Sequence, residues 1–127
     1  MNNGFILVLM VFLHIVDDYY LQGILCQMKQ RSWWAKNALD DLYRYDWIIA
    51  MAMHAFSWAF MIMLPWAIRC GFQLNSVYFT LLILNAIAHF WADSLKANYK
   101  VFNLIADQSI HLFQIILTWS VMMEVLP

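Results

Sequence analysis

Four long apolar stretches, joined by short polar connections, set what this chain can become. They run over about residues 4–27, 47–68, 77–95 and 103–126. An α-helix rises about 1.5 Å per residue, so about 20 residues carry it across the hydrocarbon core of a bilayer. Each stretch approaches or exceeds that length. None alternates with the period of two that a membrane strand needs, which excludes a strand barrel. Composition agrees, because only 12% of the residues are charged, where a soluble domain carries about 25%. With 65% hydrophobic residues in a chain of 127, a water-soluble fold would leave too much apolar surface exposed, since small domains bury only about 60–70% of theirs. The expected fold is all-α: one integral membrane domain over residues 1–127, a four-transmembrane-helix bundle whose partner is the lipid bilayer. A net charge of −1 lacks the basic field that nucleic-acid binders use, so no nucleic acid is expected as a partner. The first stretch has no basic leader and is interrupted by His14, Asp17 and Asp18; it reads as a retained helix, not a signal peptide.

The one long polar connection runs from Lys29 to Asp46. Ala35, Ala38, Leu39, Leu42 and Tyr43 fall at helical spacing within it, with Lys36, Asp40, Asp41 and Arg44 elsewhere on the wheel. That pattern predicts a short interfacial amphipathic helix between the first two spans. Trp33, Trp34 and Trp47 flank it as headgroup-level anchors. Lys29, Arg31, Lys36, Arg44, Lys96 and Lys100 fall on one side of the bundle, and only Arg69 on the other. The positive-inside rule then places both termini outside and the two basic loops in the cytoplasm. Cys26 and Cys70 fall at opposite membrane faces, too far apart for a disulfide within the chain.

The informative residues are polar ones inside the spans, where an ionisable group costs about 2.5–3.5 kcal/mol at the helix centre. All four histidines lie there. His14 with Asp18, His89 with Asp93, and Asp107 with His111 are each four residues apart and so share a helix face. His54 has Ser57 beside it. Counted from the cytoplasmic helix ends, these residues all lie about 6–13 Å deep, so antiparallel neighbours bring them into one layer.

Imidazoles and carboxylates around one centre are the ligands of Zn²⁺, Mn²⁺ and Fe²⁺. His14, Asp18, His54, His89, Asp93, Asp107 and His111 are the candidate ligands, enough for one or two divalent transition-metal ions, as in soluble di-metal bundles. Gln22 and Gln108 are candidates to orient them, and Lys96 could neutralise a phosphate headgroup, although simple snorkelling explains it as well. Asp17, on another face, reads as a supporting or snorkelling group. Three functions follow. The first is a metal-dependent hydrolase acting on a lipid or lipid-linked substrate. The second is a non-enzymatic bundle, homo-oligomeric or partner-docking, with a purely structural His/Asp network. The third is proton or ion conduction. No nucleotide-binding or common hydrolase motif occurs.

The segments HIVDDYYLQ at 14–22, HFWADSLK at 89–96 and DQSIH at 107–111, with the lone His54 between them, resemble a prokaryotic and phage membrane-protein family catalogued as domain of unknown function 3307. Its pattern of His-x-x-x-Asp-x-x-x-Gln, a lone histidine, His-x-x-x-Asp-x-x-Lys and Asp-Gln-x-x-His is met throughout. The resemblance implies a polytopic protein of a prokaryotic cytoplasmic membrane, or of the host inner membrane if phage-encoded. It carries no activity with it.

Overall fold

A computed structural model describes residues 2–125. It is helical, with no strand among those residues. Helix α1 (Asn3–Val16) starts on Asn2, whose side chain accepts from Gly4 N–H at 2.8 Å. It runs directly into a π-helical segment, Asp17–Leu21. The first apolar stretch was expected to stay helical to residue 27 but stops at Leu21, because Gly23 takes a left-handed φ of 48° that breaks the helix. A separate turn, α2 (Leu25–Met28), follows.

The expected interfacial helix is divided. Helix α3 covers Arg31–Asn37, and a 3₁₀ turn covers Asp41–Tyr43. Between them Ala38 is extended, and Asp40 caps the second turn by accepting from Leu42 N–H at 2.9 Å. An Asp offering its own backbone a turn competes with helix continuation. Leu39 is consequently 90% exposed instead of lying on one apolar stripe.

Three long helices follow: α4 (Asp46–Arg69), α5 (Ser76–Ala97) and α6 (Leu104–Val125). Pro65 lies inside α4, and the helix continues beyond it to Arg69. Asn75 caps α5 by accepting from Tyr78 N–H at 3.0 Å. Asn103 accepts from Ala106 N–H at 2.9 Å at the start of α6. The predicted end of the fourth stretch at residue 126 lies outside the described residues.

Helix α4 packs on α1 and α5, and α6 packs on α5 and α1, which closes a four-helix ring. Bonds from Arg69 to the Asn3 side chain, and from Trp119 Nε1 to Asn3 O at 2.9 Å, put the start of α1 with the ends of α4 and α6. Ile6, Met10, Ile62, Met63, Trp66, Ile115 and Met122 fill the core of that half. The outside is apolar too: Phe5, Val8, Phe12 and Ile15 on α1 and Phe79, Ile83, Leu84 and Ile87 on α5 are exposed. An apolar exterior suits lipid, not water. Asn3–Leu21, Asp41–Arg69 and Ser76–Ala97 are long and apolar enough to cross a membrane. Of the four spans expected, these three are clear. Helix α6 has the length, with 22 residues, but Asp107, Gln108, His111, Gln114 and Thr118 along one side lower its apolarity.

Candidate metal centre

All four histidines meet in the other half of the ring. His14, His54, His89 and His111 are buried, as are Asp18, Asp93 and Asp107. The convergence of these residues in one layer, expected from counting turns, is what the helices produce, although the first helix ends at Leu21, nearer to Asp18 than expected. The centre of the layer is held by α1's π segment, α4 and α5. His54 Nε2 lies 3.1 Å from His89 Nε2, 3.0 Å from Asp93 Oδ2 and 3.5 Å from Asp18 Oδ1. His89 Nε2 lies 3.9 Å from Asp18 Oδ1 and 3.8 Å from Asp93 Oδ1. A tetrahedral ion with ligands at about 2.0–2.1 Å needs ligand atoms about 3.3 Å apart. The observed separations of 3.0 to 3.9 Å bracket that value. Asp18, His54 and His89 form one group able to hold a metal ion, and His89, Asp93 and His111 form a second that shares His89.

Proton accounting sharpens the picture. If both imidazoles are neutral, His54 Nε2 and His89 Nε2 cannot both carry hydrogen at 3.1 Å, so at most one proton lies between them. Asp18 Oδ1 is buried and accepts no hydrogen bond. Lone pairs of His54, His89 and Asp18 thus converge with too few protons to satisfy them, whereas the Asp93 oxygens face donors, Oδ2 the Lys29 ammonium at 2.5 Å and Oδ1 His111 Nε2 at 3.3 Å. A cation placed among them would engage Asp18, His54 and His89 together, and buried acceptors left bare are costly.

His14 is organised differently. Trp58 Nε1–H, which can only donate, bonds His14 Nδ1 at 2.7 Å. The proton of His14 is then on Nε2, donated to Gln108 Oε1 at 3.0 Å. Both nitrogens are engaged, so His14 orients rather than ligates in this arrangement. Gln108 Nε2 passes the polarity on to Asp107 Oδ2 at 3.0 Å and Asp18 Oδ2 at 3.4 Å. Gln108 thus touches two carboxylates of the layer. The Gln22 amide donates to the backbone carbonyl of Asp18. Asp107 lies one step out from the central group, 3.4 Å from His111 Nε2 and 2.6 Å from Lys96 Nζ. Lys96, expected to snorkel or face a headgroup, pairs inward.

Two contributors, Trp58 and Lys29, were not anticipated, and a third, Asp17, takes the supporting one of its two expected roles. Asp17 is 1% exposed and accepts from Ser57 Oγ at 2.6 Å, so it does not snorkel. The π segment explains this, because its wider turn lets two adjacent residues, Asp17 and Asp18, both face inward. Trp58 stacks on His89 with centroids 4.2 Å apart and planes 14° apart. Lys29, expected among exposed loop cations, is 8% exposed and places Nζ 2.5 Å from Asp93 Oδ2. The Asp-Asp doublet in an apolar helix was the available signal for Asp17; nothing in the spacing of Lys29 or Trp58 marked either.

A cleft of about 760 Å³ connects the layer to the end of the bundle that carries the long polar connection, with Asp18 and Asp93 among its lining. In the opposite direction the polar line continues only between α5 and α6, where Gln114, Asn85 and Thr118 are linked and Asn85 Nδ2 donates to Thr118 Oγ1 at 2.8 Å. The helices α1 and α4 present Ile6, Met10, Ile62 and Met63 there. No family model, no curated protein and no solved structure matches this chain.

Proposed function

We propose that this chain is a membrane-embedded metal protein, holding one divalent transition-metal ion, zinc, manganese or iron, on Asp18, His54 and His89, with Asp93 of the adjoining group joining them as a ligand when the ion binds. The carrying observation is the convergence of the Asp18, His54 and His89 ligand atoms at 3.1 to 3.9 Å with too few protons among them. The sharing of His89 between the two possible ligand groups favours one ion over two. In this reading α6 is the fourth span, both termini face outward and the cleft opens to the cytoplasmic leaflet. The excess of Lys and Arg at the cleft end supports that orientation. The motif likeness to the domain of unknown function 3307 family fits membrane residence and supplies no chemistry. An ion at this position, reached through a polar cleft, supplies Lewis acidity to an ester or phosphoester, which makes a hydrolase of lipid or lipid-linked substrates the favoured activity.

A second reading, a self-compensated structural network, is favoured by the inward pairing of Lys29 with Asp93 and Lys96 with Asp107. Metal analysis of protein purified in neutral detergent without chelator separates the two. A stoichiometric ion, lost in the double variant His54→Ala/His89→Ala, supports the metal centre. Sub-stoichiometric metal after incubation with zinc, manganese or ferrous iron removes it.

A further inference from the structure

The cleft above the centre has a composition that the metal alone does not explain. Its charged lining is three ammonium groups, Lys29, Lys96 and Lys100, and the carboxylates of Asp18 and Asp93, with Asp107 paired to Lys96 behind it. Side-chain amides of Gln22 and Gln108 also line it.

Lys29 is the unusual member. A lysine near a helix end ordinarily extends toward headgroups; this one turns inward, with its side chain 10% exposed. Its backbone is clamped to the end of α5. Asn98 Nδ2 donates to Lys29 O at 3.1 Å, and Arg31 N–H donates to Asn98 Oδ1 at 2.8 Å. The ammonium therefore rests on Asp93, one of the proposed ligands, because the fold delivers it there.

A divalent ion bound to Asp93 would share that carboxylate with the Lys29 ammonium. Two cations on one carboxylate repel each other strongly at such distances, above all in a buried site. With Asp107 counted beside Lys96, the ion would also raise the net charge around the cleft from zero to plus two. We propose that the cleft binds a phosphate group and that Lys29 is its switched cation, pairing with Asp93 in the metal-free protein and with the phosphate once metal takes that carboxylate. The inference rests on the metal centre proposed above. Phosphate is the anion favoured because its several oxygens accept from ammonium and amide donors together, and charge-assisted bonds of that kind are the strong ones.

The test is equilibrium binding of radiolabelled inorganic phosphate to the full chain in neutral detergent, metal-loaded and chelated, for wild type, Lys29→Gln and Lys29→Arg. A parallel arm uses micelles doped with phosphatidic acid or with diacylglycerol. Metal-loaded wild type should bind phosphate at least tenfold more tightly than chelated protein. Lys29→Gln should lose that gain at unchanged metal content, and Lys29→Arg should keep most of it. Saturable binding of inorganic phosphate identifies a free anion as sufficient; binding only to phosphatidic acid micelles identifies a lipid headgroup. Equal affinity with and without metal overturns the proposal, as does wild-type affinity in Lys29→Gln at full metal content. Protein that takes up no metal overturns the metal centre and this proposal together, whereas metal uptake with Lys29-independent phosphate binding overturns this proposal alone. If Lys29→Gln fails to fold, the wild-type comparison with and without metal still decides.

Discussion

The indole N–H of Trp58 donates to His14 Nδ1 at 2.7 Å, and that single bond sets the direction of a chain that ends on a proposed ligand. With Nδ1 occupied, His14 must donate from Nε2 to Gln108, whose amide then donates toward Asp107 and Asp18. One oxygen of Asp18 is thereby held, and the other is left to face His54 and His89. Orientation of a ligand by groups behind it is a general requirement of metal sites.

Replacing Trp58 by Phe removes the donor while keeping most of the ring that stacks on His89. His14 Nδ1 is then buried without a partner, which costs about 1–3 kcal/mol. Thermal denaturation in detergent should show lower stability, and metal titration should show weaker binding by about tenfold, the lower end of the range for loss of an orienting partner. Unchanged metal affinity in a folded Trp58→Phe variant would mean that the chain does not orient Asp18.

Ser57→Ala separates support from ligation. It deprives the buried Asp17 carboxylate of its hydroxyl donor at 2.6 Å, and should lower stability by about 1–3 kcal/mol. Asp17 lies outside the groups that can hold an ion, so metal content should remain at the wild-type level. Loss of metal in this variant would place Asp17 among the ligands.

Lys96→Met leaves the buried Asp107 carboxylate without its ammonium partner. A drop in melting temperature is expected, with partial recovery in Lys96→Met/Asp107→Asn, because removing the second charge removes the unpaired group. No recovery in the double variant would show that the pair acts through packing alone.

The meeting of the layer was legible in the sequence because His and Asp four residues apart share one face on each of three helices. The ring architecture followed from the apolar stretches. Local backbone departures hid the remainder. The π segment turned Asp17 inward against the expectation of regular helical phase, and Asp40 divided the connection that was expected to carry one helix. Lys29 reaches Asp93 across 64 residues of chain, and no local pattern encodes such a pairing. The stripe on α6 that identified site residues also keeps that helix out of the set clearly apolar enough to cross a membrane.

Ligation requires neutral imidazoles and ionised carboxylates, so protons compete with the ion. An ordinary imidazole titrates near pH ~6.5. For metal-loaded protein, melting temperature should therefore rise between about pH 5 and about pH 8, and chelator should abolish the rise. A melting temperature unaffected by chelator at every pH would count against a bound ion.

The most direct measurement is X-ray absorption at the metal edge of the loaded, full-length chain. The predicted result is a shell of nitrogen and oxygen ligands at about 2.0–2.1 Å with the outer scattering of imidazole rings, lost when His54 and His89 are both replaced by Ala. A sulfur shell at about 2.3 Å, which would assign the ion to Cys26 or Cys70, or a spectrum unchanged in the double variant, would contradict the His/Asp centre.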